Sequence, residues 1–207
     1  MRQSQGSGEN LPGRNAGKIN YRIRKMLWED VEQVRAIDLI CFPTMLPPTN
    51  YKTEFINPMA HYLVADADPP PDRGSNCENL NTLILGFIGL WYLAGEIHVI
   101  NLAVHPDYRG MGVGELLLIK GIELATRLQA ILVTLEVRVS NFEAKALYSK
   151  YGFSERGVRR AYYLDNREDA AIMTLEEMDT LVYRQRLQQF KRTWSVKTGI
   201  SSETNES

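Results

Sequence analysis

Val104-His-Pro-Asp-Tyr-Arg-Gly-Met-Gly-Val-Gly-Glu115 is the most informative segment of this 207-residue sequence. It follows the apolar stretch 96–104, which is typical of a β-strand, and leads into 114–128, whose apolar residues recur at helical spacing. Its three glycines allow a tight turn with uncovered backbone N–H groups at a helix start, where the helix dipole favours an anion. A tight strand-to-helix connection that binds nothing accounts for the glycines equally well.

Two familiar phosphate-binding motifs do not match this turn. A Walker A loop ends in Gly-Lys-Ser/Thr, and no such triplet follows Gly114. A dinucleotide-binding fingerprint needs a second βα unit with an acidic residue about 20 positions on, which is not in register here. Arg109 adds a positive charge beside the turn, which favours a diphosphate.

Outward from the turn, hydrophobic periodicity predicts alternating strands and helices. On the N-terminal side it predicts a strand from Tyr21, helices over 28–40 and 51–56, and strands over 61–65, 82–93 and 96–104. On the C-terminal side it predicts a strand over 130–137, a helix over 142–151, strands over 158–163 and 170–175 around Asp165-Asn166, and a helix from 176 to about 194. This order predicts one α/β domain with a mixed sheet.

Polar segments set the expected domain limits. Residues 1–18 hold almost nothing that could be buried and are expected to form a disordered leader. The Pro-, Gly- and Asn-containing segment 66–81 predicts a long surface loop within a domain that spans 19–176. Residues 177–207 are expected to form a C-terminal tail, helical at first and then disordered.

Composition argues against several functional classes. The 24 Lys and Arg residues are balanced by 25 Asp and Glu, so the chain lacks the basic excess of most nucleic-acid-binding proteins. No apolar run approaches the ~20 residues that cross a bilayer. The two cysteines and three histidines show no metal-ligand spacing. Isolated thiols and the lack of a secretory signal favour a cytoplasmic protein that binds no metal, no nucleic acid and no membrane.

Several motifs, taken together, resemble one enzyme family. Arg109-Gly-Met-Gly-Val-Gly114 matches the R/Q-x-x-G-x-G/A turn of the GNAT superfamily, which cradles the diphosphate of coenzyme A. The succession of segments over about 96–175 is similar to the RimI-type protein N-terminal alanine acetyltransferases: Leu135-Glu-Val-Arg-Val-Ser-Asn, Ala146-Leu-Tyr-Ser-Lys-Tyr-Gly-Phe, Val158-Arg-Arg-Ala-Tyr-Tyr and Arg167-Glu-Asp-Ala-Ala-Ile-Met. The resemblance implies a single GNAT domain with helices on both faces of the sheet. It also implies a bulged, splayed central strand pair that holds acetyl-CoA.

The resemblance also implies which residues bind the donor. Backbone groups near Asn101, Leu102 and Ala103 are expected to contact the thioester oxygen. A carboxylate introduced at Gly112 is expected to abolish donor binding without disturbing the fold. The expected donor-binding residues are Leu102, Ala103, Val104, Arg109, Gly110, Met111, Gly112, Val113, Gly114, Glu115, Asn141 and Tyr148.

Two residues are candidates for acid–base catalysis. An α-amine, with a reference pKa of about 7.7–8.0, must lose a proton before it attacks a thioester, and a carboxylate can accept that proton directly or through water. The resemblance assigns this role to Glu136 and the protonation of the leaving thiolate to Tyr148. Glu136 could equally pair with Arg138 or another nearby arginine, Tyr148 could belong to an aromatic core stripe, and Asn141 could simply cap a helix.

The acceptor side departs from the RimI pattern. Tyr162 and Tyr163 resemble the tyrosine pair that holds a substrate N-terminus, and Phe42, Pro43 and Asn101 are further candidates for acceptor contacts. After Phe42-Pro43 the expected tryptophan is missing, and 44–51 is longer and Pro-rich, somewhat like the loop of eukaryotic and archaeal N-terminal acetyltransferases.

The implied function is acetyl transfer from acetyl-CoA to a protein N-terminus, with a ribosomal protein as one candidate acceptor, by a monomer or a dimer. A GNAT enzyme acting on a lysine side chain or a small amine is an alternative. A non-catalytic acetyl-CoA-binding regulatory module is another, and a DNA-binding protein is a remote third.

Overall fold

The structure is a computed structural model that describes residues 19–44, 48–68 and 82–201. Its strands are β1 (Tyr21–Lys25), β2 (Ala60–Ala67), β3 (Leu83–Leu93), β4 (Glu96–Val104), β5 (Leu132–Arg138), β6 (Ser154–Arg159) and β7 (Ala170–Glu176). Its α-helices are α1 (Val31–Cys41), α2 (Tyr51–Ile56), α3 (Val113–Arg127), α4 (Phe142–Lys150) and α5 (Leu181–Thr198). No helix of the described residues is long and apolar enough to cross a bilayer.

The strands form one sheet in the order β1-β2-β3-β4-β5-β7-β6. Among the described strands, β4 and β5 are the only parallel neighbours, and the other pairs are antiparallel. A parallel pair requires a crossover connection, and α3 provides it between β4 and β5. The predicted mixed sheet is confirmed.

Helices cover both faces of this sheet. In β3, Leu85 and Ile88 point to a hydrophobic cluster that includes residues of α3 and α5, whereas Ile84 and Phe87 point to a second cluster beneath α1 and α2. The two clusters bury opposite sides of the same strand. Alternation along β3 is shifted by a bulge at Leu85, which places Leu85 on the same face as Ile88 and on the opposite face from Phe87. The expected placement of helices on both faces is therefore confirmed.

Strand β2 extends two residues into the predicted loop 66–81. Asp66 and Ala67 pair with Arg22 and Tyr21 of β1, and Arg22 donates a hydrogen bond to the buried Asp66 carboxylate at 3.0 Å. The loop prediction is wrong at these two residues because their partners are supplied by a distant strand. The predicted leader, 1–18, and most of the predicted loop, 69–81, lie outside the described residues.

The last helix packs into the main core. Tyr183, Leu187 and Trp194 of α5 are buried together with residues of β1, α3 and β5, and only 1% of the Trp194 surface is exposed. The expected domain limit at residue 176 therefore does not separate a free tail from the domain in the described part of the chain.

The strand predicted for 158–163 lies earlier in the sequence. β6 ends at Arg159, and the chain turns at Ala161, which has a positive φ of 49°. The Asp169 carboxylate stabilises this turn by accepting the Ala161 N–H at 2.8 Å. The predicted hairpin is confirmed, since β6 and β7 pair antiparallel, but its connection is longer and consists of residues 160–169, which include Tyr162 and Tyr163.

Candidate active site

The sheet opens between its two parallel strands. β4 pairs with β5 only from Glu96 to Val99, against Leu132 to Leu135, although both strands continue further. A bulge at Ile100 precedes the unpaired part of β4, since Gly89 and Leu90 of β3 face Asn101 and Val99. A bulge sharpens the local bend of a strand. The expected splayed pair is confirmed, and it leaves a wedge between 101–104 and 136–138.

The wedge exposes main-chain groups of β4. The His105 N–H donates to Leu85 of β3 at 2.9 Å, so residues 101 and 103 also point their backbone groups towards β3. The backbone groups of Leu102 and Val104 then point the opposite way, into the wedge. Of the three residues expected to supply an oxyanion contact, Leu102 has the suitable N–H direction.

The glycine-rich turn lies at the mouth of the wedge. Gly110 and Gly112 have positive φ values of 76° and 83°, and α3 begins at Val113. The first hydrogen bond of this helix runs from the Leu116 N–H to the Gly112 carbonyl at 3.0 Å. The N–H groups of 113–115 precede that bond, so they are available to an anion. A side chain at Gly110 would meet nothing within 4 Å, so a ligand can approach this backbone closely.

The charged side chains of the turn have partners of their own. Arg109 donates from Nε to the Val104 carbonyl at 3.2 Å, which directs its guanidinium towards the end of β4. The Glu115 carboxylate accepts a hydrogen bond from the Tyr151 hydroxyl at 2.7 Å and forms an ion pair with Lys150. Glu115 can therefore serve a ligand through its N–H group rather than its carboxylate. Val113 is buried and anchors the turn, and Met111 is half-buried against the main core.

Glu136 lies near the C-terminal end of β5 with its side chain 22% exposed. Its Oε1 atom pairs with Nε of Arg159 at 2.9 Å. Arg138 is not its partner: that guanidinium pairs with Asp165 and Glu168. An ion pair with an arginine was the alternative to a catalytic role for Glu136, and Arg159 of β6 is that arginine.

Tyr148 extends from α4 and is almost fully buried beside Phe153, with ring centroids 5.6 Å apart. Burial raises the pKa of Tyr148 well above its usual range, and the neighbouring Tyr163 adds to the rise. The hydroxyl therefore stays protonated at neutral pH and can donate a proton or a hydrogen bond. Asn141 caps α4, because its side chain accepts the Ala144 N–H at 3.1 Å.

Tyr162 and Tyr163 stand at the same end of β5. Their rings are perpendicular with centroids 5.2 Å apart, and the Arg138 guanidinium lies 3.8 Å from the centre of the Tyr163 ring. Burial raises the pKa of Tyr163 to about 12, and the negative charge of Glu136 contributes to the raised pKa of both tyrosines. Glu136, Tyr148 and the tyrosine pair thus form one electrostatically linked group.

The other acceptor candidates divide into two cases. Thr44, next to Phe42-Pro43, donates to Asp165 at 3.0 Å, so this segment meets loop 160–169. Asn101 differs from expectation, because its buried side chain donates to the Tyr51 hydroxyl at 3.3 Å beneath α1 and α2. The bulge at Ile100 directs this side chain towards the second core cluster, so an acceptor contact at Asn101 stays a prediction for its backbone.

Four residues that hold the site were not singled out from sequence: Tyr21, Arg138, Arg159 and Trp194. The helical spacing of the buried residues in α5 was a readable signal for Trp194. The partners of Arg138 and Arg159 lie on loops and strands whose order the sequence does not reveal. No cluster of three or more metal-ligating side chains occurs in the described part of the chain.

Comparison with known proteins places these features in a family context. The sequence model of the acetyltransferase (GNAT) family matches residues 31–153. A Bacillus subtilis protein assigned as a ribosomal protein bS18-alanine N-acetyltransferase is 35% identical, over 75% of this chain and 95% of its own length. An N-alpha-acetyltransferase of Sulfurisphaera tokodaii is 34% identical, over 74% of this chain and 91% of its own length.

A solved structure agrees with this match. The crystal structure of the Escherichia coli ribosomal protein bS18-alanine N-acetyltransferase superposes with a TM-score of 0.58 at 28% identity. The superposition covers 75% of this chain and 93% of the Escherichia coli chain.

Proposed function

The chain belongs to the acetyltransferase (GNAT) family, and we propose that it transfers the acetyl group of acetyl-CoA to the α-amino group of a protein N-terminus. The observation that carries this proposal is the wedge between β4 and β5, which has the glycine-rich turn at its mouth and Glu136 near the end of β5, with Tyr148, Tyr162 and Tyr163 as the candidate acid and acceptor contacts. A base, an acid and two aromatic acceptor contacts meet where the strands part.

The donor lies with its diphosphate on the turn 109–114 and its pantetheine arm along β4. The N–H groups of 113–115 and the dipole of α3 neutralise the diphosphate. The backbone of Leu102 and the N–H of Val104, whose carbonyl already accepts a bond from Arg109, bond the arm as an added strand would. The Leu102 N–H also stabilises the negative charge that develops on the thioester oxygen.

Glu136 accepts the proton of the acceptor ammonium, directly or through one water. In the absence of an acceptor, the Arg159 guanidinium pairs with this carboxylate at 2.9 Å and occupies the place of the acceptor ammonium. Because 57% of the Arg159 side chain is exposed, the acceptor ammonium can displace it at low cost. The neutral amine then attacks the thioester carbon.

Tyr148 completes the transfer. The new C–N bond forms as the C–S bond breaks, and the departing thiolate takes the hydroxyl proton of Tyr148. The nitrogen, positively charged after the attack, loses its second proton through water to the Tyr148 phenolate, and Glu136 releases the first proton to solvent. The products are the N-acetylated chain end and coenzyme A. Both substrates are bound at once, so no acetylated enzyme forms.

The relatives support an N-terminal acceptor. Both curated relatives are named as enzymes that acetylate an alanine N-terminus or an α-amine, and a ribosomal protein N-terminus in the cytoplasm is therefore the first acceptor to test. The exposed face of Tyr162, 44% of whose surface is accessible, offers a contact for the first residues of an extended peptide.

An acceptor-profile assay tests the proposal. Short peptides with a free N-terminus are compared with the same peptides carrying a blocked N-terminus and an internal lysine, and with spermidine as a small amine. Mass spectrometry of the products is expected to locate the acetyl group on the α-amine and to find the blocked peptides and spermidine unmodified. Acetylation of the blocked peptides or of spermidine at comparable rates would replace this function with the lysine or small-amine alternative. Acetyl-CoA binding with no turnover of any acceptor would favour a regulatory module.

A further inference from the structure

Two elements far from the turn hold its carbonyl groups. The Tyr21 hydroxyl of β1 donates to the Met111 carbonyl at 2.9 Å, and the Trp194 indole of α5 donates from Nε1 to the Gly112 carbonyl at 3.0 Å. The two aromatic rings contact each other edge to face, with centroids 6.1 Å apart. Both side chains are buried, and both lie outside residues 31–153, which the family match covers.

These bonds fix the direction of the neighbouring N–H groups. In a planar trans peptide, the carbonyl of one residue and the N–H of the next point in opposite directions. The Met111 carbonyl and the Gly112 N–H belong to one peptide unit, and the Gly112 carbonyl and the Val113 N–H belong to the following unit. The bond from Tyr21 to the Met111 carbonyl therefore turns the Gly112 N–H to the opposite side. The Gly112 carbonyl is shared by Trp194 and the Leu116 N–H of α3, and these two bonds together turn the Val113 N–H the same way.

We propose that Tyr21 and Trp194 are positioning residues for the acetyl donor, which aim the Gly112 and Val113 N–H groups at its diphosphate before it binds. This inference rests on the proposed function, in which the turn 109–114 holds acetyl-CoA. A cradle that is oriented in advance loses less conformational entropy on binding, so the two side chains raise donor affinity without touching the donor.

Side chains of α5 pack closely against Gly112. A Cβ atom at this position would lie 2.8 Å from Nε1 of Trp194 and 2.9 Å from Cγ2 of Thr198. Helix α5 therefore lies directly against the back of the turn. One turn before Trp194, Lys191 of α5 forms an ion pair with Glu123 of α3, which also holds the two helices together.

A matched pair of substitutions tests the proposal. Tyr21→Phe removes the hydrogen bond to Met111, and Tyr183→Phe removes an equivalent bond, of 2.9 Å, from α5 to the Tyr151 carbonyl. Both tyrosines are buried, both changes keep the ring, and both are expected to lower the melting temperature by similar amounts. Only Tyr21→Phe is expected to raise the Kd and the KM for acetyl-CoA, by about fivefold, with kcat unchanged at saturation.

A truncated donor separates positioning from general loosening. S-acetylpantetheine lacks the diphosphate, so kcat/KM with this donor is expected to be the same for Tyr21→Phe and the wild-type enzyme. Trp194→Phe, which removes the second bond, is expected to show the same selective loss with acetyl-CoA. The inference would be overturned if Tyr21→Phe lowered kcat/KM equally with acetyl-CoA and S-acetylpantetheine. It would also be overturned if Tyr21→Phe and Tyr183→Phe changed the Kd for acetyl-CoA equally, or if neither changed it. Isothermal titration calorimetry measures each Kd, and failure of the wild-type protein to bind acetyl-CoA in that titration would instead refute the proposed function.

Discussion

The two halves of the candidate site differ in the groups that they present to a ligand. The donor half, residues 102–104 and 109–115, presents backbone N–H groups held by neutral hydrogen bonds to Tyr21 and Trp194. The acceptor half, the end of β5 and loop 160–169, presents side chains held by ion pairs, with Arg138 bonded to Asp165 and Glu168. A backbone site can keep one ligand while its side chains vary, whereas a side-chain site changes its ligand with each substitution. Donor binding is therefore expected to tolerate side-chain substitutions better than acceptor binding.

Glu136→Gln is the sharpest test that chemistry belongs to the acceptor half. The amide cannot accept the ammonium proton, so we expect kcat to fall by about 10²–10⁴-fold. The Kd for acetyl-CoA should change by less than about twofold, because the carboxylate faces the amine. Steady-state kinetics with an N-terminal peptide at saturating acetyl-CoA, together with calorimetry, measure both quantities.

Tyr148→Phe provides the companion variant, since it keeps the buried ring and removes only the hydroxyl. We expect a smaller fall in kcat, because water can also protonate the thiolate. Wild-type turnover in both variants would mean that positioning alone accounts for the rate.

Gly114→Asp is expected to break the donor half alone. A Cβ at Gly114 would touch only Cγ2 of Val104, at 3.3 Å, and an aspartate in the first turn suits the dipole of α3. The introduced carboxylate faces the diphosphate, so the Kd for acetyl-CoA should rise by about 10²-fold, with little change in the melting temperature of the free protein. Thermal unfolding with and without acetyl-CoA measures this, because a ligand stabilises the state that it binds.

Gly114→Ala is the size control and should keep most of the affinity. The structure also corrects the expectation for Gly112→Asp, which cannot leave the fold intact. Its positive φ of 83° and the 2.8 Å approach to Trp194 predict a lower melting temperature even without the donor. Equal melting temperatures for the two aspartate variants would contradict the described packing of α5.

Arg138→Lys should weaken the acceptor half and spare the donor half. The guanidinium bonds Asp165, Asn166 and Glu168 and lies over Tyr163, which an ammonium group cannot reproduce. We expect the KM for the peptide to rise about tenfold and the KM for acetyl-CoA to stay constant.

Arg160→Lys is the matched control, because Arg160 pairs with Asp169 through a side chain that is 85% exposed. Its effect on either KM should be small. A rise in the acetyl-CoA KM of the Arg138 variant would show that the two halves are coupled.

Acid should loosen the acceptor half before the donor half. Hydrogen bonds from Arg138, from Ser140 and from the Ala161 N–H lower the pKa values of Asp165, Glu168 and Asp169, that of Glu168 to about 2. Carboxylates with lowered pKa values stabilise the folded loop at pH values above their unfolded pKa, and this stabilisation is lost as the pH falls through the folded pKa.

Loop 160–169 should therefore open between about pH 4.5 and pH 2. Limited pepsin digestion across this range, read by mass spectrometry, should show cleavage near Tyr163-Leu164 before cleavage near Met111, whose supports are uncharged. Simultaneous cleavage at both places would mean global unfolding rather than a local release.

Local patterns in the sequence predicted the donor half well. The strand 96–104, the glycine turn and helix α3 follow from periodicity and from glycine chemistry, which are local signals, although the bonds from Tyr21 and Trp194 to the turn were not predicted. The acceptor half was predicted less well, because its conformation depends on bonds between remote residues. Asp169 bonds the Ala161 N–H where β6 has already ended, so the predicted hairpin has a shorter first strand and a longer connection than expected.

The same reason explains why the partners of the Asn101 and Glu136 side chains were not predicted. The alternation of β4 predicts no extra residue, so the direction of the Asn101 side chain depends on a bulge that only pairing with β3 reveals. The partner of Glu136 depends on the strand order β5-β7-β6, which brings Arg159 within 2.9 Å. The roles of Glu136 and Tyr148 came from family resemblance, and no periodicity would have assigned them.

The long-range bonds at the glycine turn have a consequence for how the protein is made. Tyr21 and Trp194 reach the turn from 90 and 82 positions away in sequence. Antiparallel neighbours such as β3 and β4, joined by Ala94-Gly95, can pair as soon as they are synthesised, whereas contacts of high sequence separation form slowly. The hairpins of the N-terminal half of the sheet would then form early in translation, and the donor cradle would be completed only when α5 docks. A nascent chain still lacking this helix would hold its first four strands folded and remain unable to use the donor, so activity would begin with the last step of folding.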